Sequence, residues 1–555
     1  MSRLSWLNVS AVGLLSGLVA TLAMVLAMVV GRTWLGISPP PEAIPDRFAP
    51  TLDIDTFFGL FGRFGGYNGL KRFGITSGLT GLFVVGALVG VVYAAVVEGL
   101  RSRRATGWRA GFSPIGLAFV VAAALVLWVA TLVVLWPVLD ANYRGLPPST
   151  ARLVAVLGLL VSYAIYGAIL ALTYRFVTRR TGDAVAARAG VDAAAAGPIP
   201  VSALAPVPVA ESVPRRAVVA AAAGVALAVP SFALIRRLND RATFAYDGTP
   251  YSGPDVQPIA PNDRFYTVTK NVVDPDVALP VWRLQVGGQV EAPRTYAFSD
   301  LEALPAVDQE TTLMCISNQI GAGLFSNAVW RGVPMRDLLE AARPRSGALE
   351  VLLHAADGYT DTFAFDKAMD PTTMVVYRMN GEPLPQRHGF PARVVVPGLY
   401  GEKNVKWVTG IEVVDHDAKG FYEEQGWGPN FEIPTRSDIF APRWSRGGGD
   451  VFAEPFPLGR PATIRGRAFA GARGVAAVEY STDDGATWRP ARIDYPGTDL
   501  TWSFWSFEWR PETAGETVLL TRATDGTGAV QSPERRGIIP QGATGYHRVL
   551  ARIEG

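Results

Sequence analysis

Residues 311–319 read TTLMCISNQ and contain Cys315, the single cysteine of this 555-residue chain. One cysteine excludes an intrachain disulfide and any zinc site built from several thiolates. A lone thiolate can still be a soft ligand for a metal. A free cysteine is also commonly a small buried hydrophobic residue. The nonapeptide by itself therefore leaves a metal ligand and a core residue both open.

The residues around this cysteine combine strand and helix patterns. Residues 281–286 (VWRLQV) alternate as a half-buried strand does, and residues 333–342 (VPMRDLLEAA) have helical spacing. From about residue 456 short strands alternate with turns, and Asp483-Asp484-Gly485 is a strong hairpin signal. These patterns predict an α+β domain over residues 245–450, followed by an immunoglobulin-like β-sandwich over residues 455–555.

The N-terminal part of the chain is strongly apolar. Mean hydropathy is +0.20 with 18% charged residues, which favours a membrane part joined to a water-soluble part. Five apolar runs are long enough to cross a bilayer; they are residues 9–30, 75–97, 114–136, 153–174 and 217–235. None has a charged residue at its centre, so an anchor or docking surface is favoured over a pump or a transporter with a sensor domain.

The membrane part is divided by an Ala/Pro-rich stretch. We expect four transmembrane helices within residues 1–180, a linker at 181–214 and a fifth helix at 215–236. The pair Arg215-Arg216 before the fifth run resembles an internal twin-arginine export signal. The alternative is a basic pair that marks the cytoplasmic end of a helix.

Loop charge predicts the orientation of these helices. Arginines cluster after the second and fourth runs, at Arg101, Arg103, Arg104, Arg109, Arg175, Arg179, Arg180 and Arg188. The N-terminus is therefore expected inside and the C-terminal half outside. The first loop conflicts with this rule through Arg32, Arg47, Arg63, Lys71 and Arg72, which Glu42, Asp46, Asp53 and Asp55 partly offset.

Charge and histidine placement exclude other functions. A net charge of +2, from 51 basic and 49 acidic residues, excludes nucleic-acid binding through bulk charge. All four histidines follow the last apolar run, and no CxxCH occurs, so we expect no haem in this chain.

Residues 255–415 contain an ordered series of short motifs: FY at 265–266, WRL at 282–284, GG at 287–288, CISN at 315–318, WRGVP at 330–334, DGY at 357–359, MNGEPLP at 379–385, HGFPAR at 388–393 and GLYGEKNVKW at 398–407. In their residues and order these motifs resemble the sulfite oxidase family of molybdenum–pterin enzymes. The stretch VEYSTDDGATW at 478–488 resembles the family's dimerisation domain.

The resemblance implies a set of site residues. Cys315 matches the thiolate that ligates molybdenum beside the two dithiolene sulfurs of the pterin. The pterin contacts carry over onto Tyr266, Thr267, Asp357, His388, Arg393, Asn404, Val405 and Lys406, and Asn262 or Asp263 matches with ambiguous spacing.

The chemistry of these residues agrees with that assignment. A pterin phosphate needs cations and backbone donors, and Arg393 supplies a planar fork while Lys406 supplies a point charge. Successive N–H groups of residues 404–406 can bind an anion. Taken singly, either cation is typical of a solvated surface position.

Three positions depart from the family pattern near the metal. Ile320 and Thr269 (with Lys270 adjacent) stand where arginines are expected, and Trp427, with Tyr422 near it, stands at a tyrosine position. Fewer cations weaken the binding of a dianion such as sulfite. A sulfoxide is an equally good substrate class, and Ile320, Trp427 and Trp330 predict an apolar pocket.

These observations predict a multi-pass membrane oxidoreductase that transfers oxygen atoms with the Mo-cofactor on the extracytoplasmic side. A cofactor inserted in the cytoplasm needs export of a folded domain, which the twin-arginine pair would provide. The expected partners are the lipid bilayer, a separate redox partner at the membrane, a small or sulfur-containing substrate and a second copy of the chain, without nucleic acid. The alternatives are a sulfoxide-type reductase of the same family and a cofactor-free membrane scaffold.

Overall fold

The computed structural model describes residues 6–103, 114–136, 138–178, 215–242, 248–446 and 449–555. The predicted linker at 181–214 lies outside them, as do Arg104, Arg109, Arg179, Arg180 and Arg188. The described chain forms two compact units. We call Met1–Ile44, Gly74–Leu139 and Leu153–Asp240 the helical unit, and Pro45–Phe73, Asp140–Arg152 and Arg241–Gly555 the β-rich unit.

Long apolar helices dominate the first 240 residues. Within the described residues, five helices are long and apolar enough to cross a membrane, over Trp6–Leu35, Asn68–Gly99, Pro114–Leu135, Pro148–Thr178 and Arg215–Asp240. The predicted number of apolar helices is confirmed, while spanning itself stays a prediction. The helices are α1 (Trp6–Val30), α2 (Pro40–Phe48), α3 (Ile54–Phe64), α4 (Tyr67–Arg103), α5 (Pro114–Leu135), α6 (Pro148–Thr178) and α7 (Arg215–Asp240).

Glycines bring α1 and α4 close together in the helical unit. Gly13 and Gly17 of α1 face Gly90 and Gly86 of α4, and a Cβ added at Gly17 would stand 2.5 Å from the Gly86 carbonyl oxygen. Both pairs have i,i+4 spacing, so each helix presents one small-residue face. In a bilayer, helix association brings no hydrophobic gain because the lipid is apolar too, so close packing of backbones at small-residue faces becomes important.

The first part of the β-rich unit contains two sheets. Its strands are β1 (Leu284–Gly288), β2 (Arg294–Tyr296), β3 (Val307–Met314), β4 (Phe325–Pro334), β5 (Glu350–Ala355), β6 (Thr360–Ala364), β7 (Met374–Met379), β8 (Glu382–Pro383), β9 (Arg393–Val395) and β10 (Val408–Val414). Its helices are α8 (Phe298–Glu302), α9 (Met335–Ala342) and α10 (Phe365–Ala368). Among described residues the strand orders are β2-β1-β10-β5-β6 and β3-β4-β7-β8, with β9 also on β7.

The second sheet places the key residues at strand ends. Strand β3 pairs antiparallel with β4 from Val307 opposite Gly332 to Met314 opposite Phe325, and Cys315 follows directly. Strand β9 begins at Arg393 and pairs with β7. The α+β character predicted for this region is thus observed.

Two further sheets complete the C-terminal part. Their strands are β11 (Arg436–Ala441), β12 (Trp444–Arg446), β13 (Asp450–Phe452), β14 (Phe456–Pro457), β15 (Ala462–Phe469), β16 (Val475–Ser481), β17 (Arg489–Pro490), β18 (Arg492–Tyr495), β19 (Ser503–Trp509), β20 (Gly515–Asp525) and β21 (His547–Glu554). In the described chain, one sheet has the order β11-β15-β19-β18 and the other β12-β13-β21-β20-β16-β17. Side chains such as Trp505 and Leu519 share one core. Because β11 pairs with β15, the sheets begin before residue 455; an immunoglobulin-like topology stays a prediction.

Two segments from between the long helices belong to the β-rich unit. Lys71 Nζ donates to the carbonyls of Thr269 (3.1 Å) and Asn271 (2.7 Å). The Asn142 N–H donates to the Ala356 carbonyl at 2.8 Å. Lys71 is one of the first-loop cations that conflict with the charge rule. Here it joins the first loop to the segment of residues 269–271.

Candidate active site

A cavity of about 420 Å³ lies in the β-rich unit. Nine residues that the resemblance assigned to the metal and the pterin line it: Tyr266, Thr267, Cys315, Asp357, His388, Arg393, Asn404, Val405 and Lys406. They come from segments more than a hundred residues apart. The fold thus brings the cysteine and the proposed phosphate cations to one space.

Cys315 begins the loop after β3. Its N–H donates to the Leu324 carbonyl at 3.0 Å, and its Sγ lies 3.1 Å from Ser317 Oγ. Burial, with a contribution from Glu402, raises the pKa of the thiol to about 11. A bound metal cation would instead favour the deprotonated form of Cys315, since metals bind the thiolate.

A buried ion pair from β11 holds this loop in place. Arg436 Nη2 donates to the Gln319 carbonyl at 3.1 Å, and Asp438 Oδ1 accepts from the Gly321 N–H at 2.9 Å. Arg436 and Asp438 are 3.0 Å apart and each is 2% exposed. Sequence reasoning missed this clamp because the partners lie on a strand assigned to no function.

Arg393 is a buried cation and Lys406 a half-buried one. Arg393 donates to the carbonyls of His388 (3.2 Å) and Asn404 (2.9 Å), and Lys406 to those of Val268 (3.1 Å) and Arg387 (3.2 Å). Neither forms an ion pair with a carboxylate of the described residues. Burial lowers the pKa of Arg393 to about 10 and that of Lys406 to about 8.

Gly389 allows these cations to approach. Its φ is +114°, and a Cβ there would meet the Cβ atoms of Arg393 at 3.0 Å and Lys406 at 3.2 Å. Any other residue would be strained and would push the two cations apart. The Arg393 Nε atom is buried and has no hydrogen-bond partner within the described part of the chain. Two adjacent cations with unused donors fit a bound anion such as a pterin phosphate.

Neutral and polar groups complete this end of the cavity. His388 Nε2 lies 2.9 Å from the Asn262 carbonyl, and burial, followed by repulsion from Arg393, lowers the His388 pKa to about 3. The imidazole is therefore neutral. Asn262 orients His388 but does not line the cavity, and neither does Asp263.

Two of the predicted residues use their side chains for the fold. The Asp357 carboxylate accepts from Asn271 Nδ2 at 2.8 Å and from the Tyr359 N–H at 3.0 Å. The Asn404 amide accepts from the Val396 N–H at 2.7 Å and donates to the Tyr400 carbonyl at 2.9 Å. The Asn404 N–H also donates to the Gly401 carbonyl at 3.1 Å, so it is not one of the free anion donors that the sequence predicted.

Glu402 is a cavity residue that sequence reasoning missed. Neither of its carboxylate oxygens has a hydrogen-bond partner of good geometry among the described residues. Burial, followed by repulsion from Asp361, raises the Glu402 pKa to about 8 despite nearby N–H groups. Its place inside GLYGEKNVKW was a possible signal, but sequence cannot show that its carboxylate is buried.

Of the positions that depart from the family pattern, some line the cavity and one does not. Trp427 and Tyr422 line the cavity, as do Thr269 and Lys270, whereas Ile320 does not. Gly321, with φ of +74°, turns the chain just after Ile320, whose carbonyl accepts from Arg446. The expectation that Ile320 shapes this pocket is therefore wrong.

Trp330 was also expected at the pocket and does not line it. It is fully buried, its Nε1 donates to the Thr311 carbonyl at 3.1 Å, and its ring packs edge-on against Phe265. The Arg393 guanidinium lies 5.2 Å from the ring centroid. Trp330 thus supports the cavity wall from behind.

Comparisons with known proteins identify two domain families in this chain. Residues 270–422 match the family described as oxidoreductase molybdopterin binding domain, and residues 453–553 match the Mo-co oxidoreductase dimerisation domain. The uncharacterized oxidoreductase YuiH of Bacillus subtilis (strain 168) is 37% identical over 146 residues, which are 26% of this chain and 72% of that protein.

Two enzymes with named activities also match. The sulfite oxidase of Arabidopsis thaliana is 26% identical over 362 residues, which cover 53% of this chain and 88% of the plant protein. The NADH nitrate reductase of Solanum lycopersicum is 29% identical over 304 residues, which cover 44% of this chain and 33% of the plant protein.

Proposed function

The chain belongs to the molybdopterin-dependent oxidoreductases of the sulfite oxidase family, and on this premise we propose that it is a membrane-anchored enzyme that transfers an oxygen atom at a metal held by Cys315. One observation carries the proposal. One cavity joins Cys315, the only cysteine of the sequence, to buried Arg393 and half-buried Lys406, and neither cation is ion-paired with a carboxylate of the described residues.

The chain's own residues would hold the cofactor at both ends. The molybdenum–pterin group supplies a two-electron centre for oxygen-atom transfer when it is bound. Cys315 would ligate the metal, and Arg393 and Lys406 would bind the phosphate. His388 and Tyr266 also line the cavity and would orient the pterin through hydrogen bonds and ring contact.

The state of Lys406 gives a pH-dependent prediction. In the cofactor-free full-length chain we expect sulfate to raise the melting temperature most below pH 8, with the gain falling as pH rises through about 8, because Lys406 then loses its charge. Sulfate keeps its own charge over this range, so the protein alone titrates. The measurement is a thermal shift with and without sulfate from pH 6 to 10.

Two lysine variants control that measurement. Lys406→Gln should abolish the step near pH 8, whereas Lys419→Gln, at an exposed lysine, should keep it. A step of equal size in Lys406→Gln would show that another group binds the anion.

Oxygen-atom transfer requires electrons and protons from elsewhere. Oxidation of a substrate consumes one water and releases two protons and two electrons, and reduction of an oxide does the reverse. The single cysteine cannot ligate an iron–sulfur cluster of the usual kind, so we propose a separate redox partner. The buried Glu402 can hold a proton beside the reacting centre.

A sulfoxide-type reductase is a second candidate function. Lys270, the cation next to Thr269, is ion-paired with Asp46 at 2.8 Å and donates to the Asp357 carbonyl at 3.1 Å, so its charge is already compensated. Glu402, near Cys315, has its pKa raised to about 8 by burial, so it supplies no cation and gains negative charge only above that pH. Both features disfavour a dianion and favour an uncharged oxo donor.

The order of segments supports membrane anchoring. The β-rich unit consists of residues 45–73, 140–152 and 241–555. In the sequence, these segments follow the first, third and fifth apolar helices respectively. If each helix crosses once, these three segments emerge on the same side. Loop charge favours the extracytoplasmic side. The match to a dimerisation domain also supports a homodimer.

Cysteine labelling tests this topology. We expect a membrane-impermeant maleimide to label Ser532→Cys in intact cells and to label Ala186→Cys only after permeabilisation, because the proposed orientation places residue 532 outside and residue 186 inside. The unmodified chain shows how much label reaches the half-buried native Cys315. The reverse pattern would contradict the orientation. Replacing Arg215-Arg216 by two lysines should reduce the labelled fraction of Ser532→Cys if the pair is an export signal, and unchanged labelling would favour a simple charged helix end.

A further inference from the structure

Helix α3 carries three phenylalanines that face the cavity. Phe57, Phe58 and Phe61 have spacing i, i+1 and i+4, which places their side chains on one side of the helix. Their rings pack on one another, with centroids 4.5 Å apart for Phe57 and Phe61 and 5.1 Å for Phe58 and Phe61. We call these three residues the aromatic cap.

The ends of α3 are fixed by local contacts. Asp53 caps the N-terminus, since its Oδ1 accepts from the Thr56 N–H at 3.0 Å. Gly65 ends the helix with φ of +72°, a conformation that favours glycine. These contacts set the length and register of the helix, and therefore which side chains face the cavity.

The flanks of α3 are tied to cavity residues. Before it, Asp46 is ion-paired with Lys270, and after it, Lys71 donates to the carbonyls of Thr269 and Asn271. Both flanks thus hold the segment of residues 269–271 that departs from the family pattern.

The cap reaches the cysteine side of the cavity through aromatic contacts. Phe58 packs edge-on against Trp427 at 5.9 Å, and Trp427 packs against Tyr422 at 6.3 Å. Phe58, Tyr422 and Cys315 pack against the same buried cluster. The wall on this side is therefore aromatic, whereas Arg393 and Lys406 belong to the phosphate-binding set described above.

We propose that the aromatic cap forms the apolar half of the substrate pocket, and that the substrate is an uncharged organic oxide bearing an aryl or bulky alkyl group. The proposal rests on oxygen-atom transfer at Cys315. The oxide would accept two electrons from the separate donor and two protons, its X–O bond would break, and the reduced compound and one water would leave. The apolar group would pack on Phe58, Phe61 and Trp427.

The test uses the purified full-length holoenzyme, reduced methyl viologen as electron donor, and two sulfoxides. For the double variant F58A/F61A we expect kcat/KM for methyl phenyl sulfoxide to fall by about 10- to 100-fold, mainly through KM, as loss of apolar contacts predicts. For dimethyl sulfoxide, which lacks the aryl group, the change should stay within about 3-fold. F58L/F61L should keep most of the activity if its apolar contacts suffice.

Binding without turnover provides an independent readout. Methyl phenyl sulfone, offered as an analogue that is not reduced, should quench tryptophan fluorescence through Trp427, and F58A/F61A should weaken its binding about 10-fold or more. The matched control is Phe48→Ala, a phenylalanine of the same loop that is 48% exposed and does not line the cavity. It should change neither measurement.

The outcomes distinguish the role of the aromatic cap from the proposed oxygen-atom transfer at Cys315. Unchanged sulfone binding in F58A/F61A, or equal losses for the two sulfoxides, would overturn the role of the cap. Cap-dependent sulfone binding in a fully molybdenum-loaded enzyme that reduces neither sulfoxide would support the pocket and overturn oxide reduction. Absence of molybdenum from a protein that binds the sulfone would overturn only the proposed function.

Discussion

In the Cys315→Ser variant we expect the purified full-length protein to lose bound molybdenum and at least about 100-fold of its oxygen-transfer activity. A serine hydroxyl is a hard ligand that stays protonated, whereas a thiolate suits a soft or high-valent centre. Replacing a residue that only orients a metal ligand typically lowers metal affinity or activity about 10- to 100-fold. Loss of the ligand itself should lower them at least as much. Metal analysis and activity with an artificial electron carrier are the measurements.

The pterin content makes this experiment specific. Arg393 and Lys406 remain in Cys315→Ser, so the variant should keep more pterin than molybdenum. Ala476→Ser introduces the same side chain at an exposed position and should match the wild type in both. Equal molybdenum and equal activity in Cys315→Ser would remove the ligand role.

The second large effect concerns stability. Lys403→Met should lower the free energy of unfolding of the β-rich unit by about 3–5 kcal/mol, because it leaves a buried carboxylate without its partner. Lys403 Nζ lies 2.7 Å from Asp361 and 3.1 Å from Glu423, and Lys403 and Asp361 are only 2% and 1% exposed. The urea midpoint of the full-length chain in detergent, followed by tryptophan fluorescence, measures the change.

A surface pair supplies the matched control. Lys367 lies 2.8 Å from Asp370, but these side chains are 22% and 34% exposed. Lys367→Met should therefore cost only about 0–1 kcal/mol, since water screens the remaining charge. Similar midpoints for the two variants would contradict the claim that burial, and not the ion pair as such, determines the cost.

Local patterns explain why so much of the site could be predicted. Cys315, His388, Arg393 and Lys406 lie in short motifs whose order resembles the family, and the molybdopterin-binding match confirms the family and the enzyme class. The apolar helices depend only on hydropathy and length, and they are observed as predicted. The roles of individual residues, the topology and the partners stay predictions.

Where prediction failed, the cause is contact between distant parts of the chain. Ile320 was expected in the pocket because of its position in a motif, but the turn at Gly321 directs the chain elsewhere. The Arg436–Asp438 clamp on the cysteine loop joins residues more than a hundred positions apart. No local pattern indicates such a pair.

From the sequence alone, resemblance to a known family indicated the cofactor class, and hydropathy and length predicted the number of long apolar helices. Only the tertiary structure decided that α3 lines the cavity and that the Glu402 carboxylate is buried with no hydrogen-bond partner among the described residues. The physical reason is that burial and long-range contact are properties of the folded chain: Lys71 and Asn271, which help to hold the cap in place, are 200 positions apart.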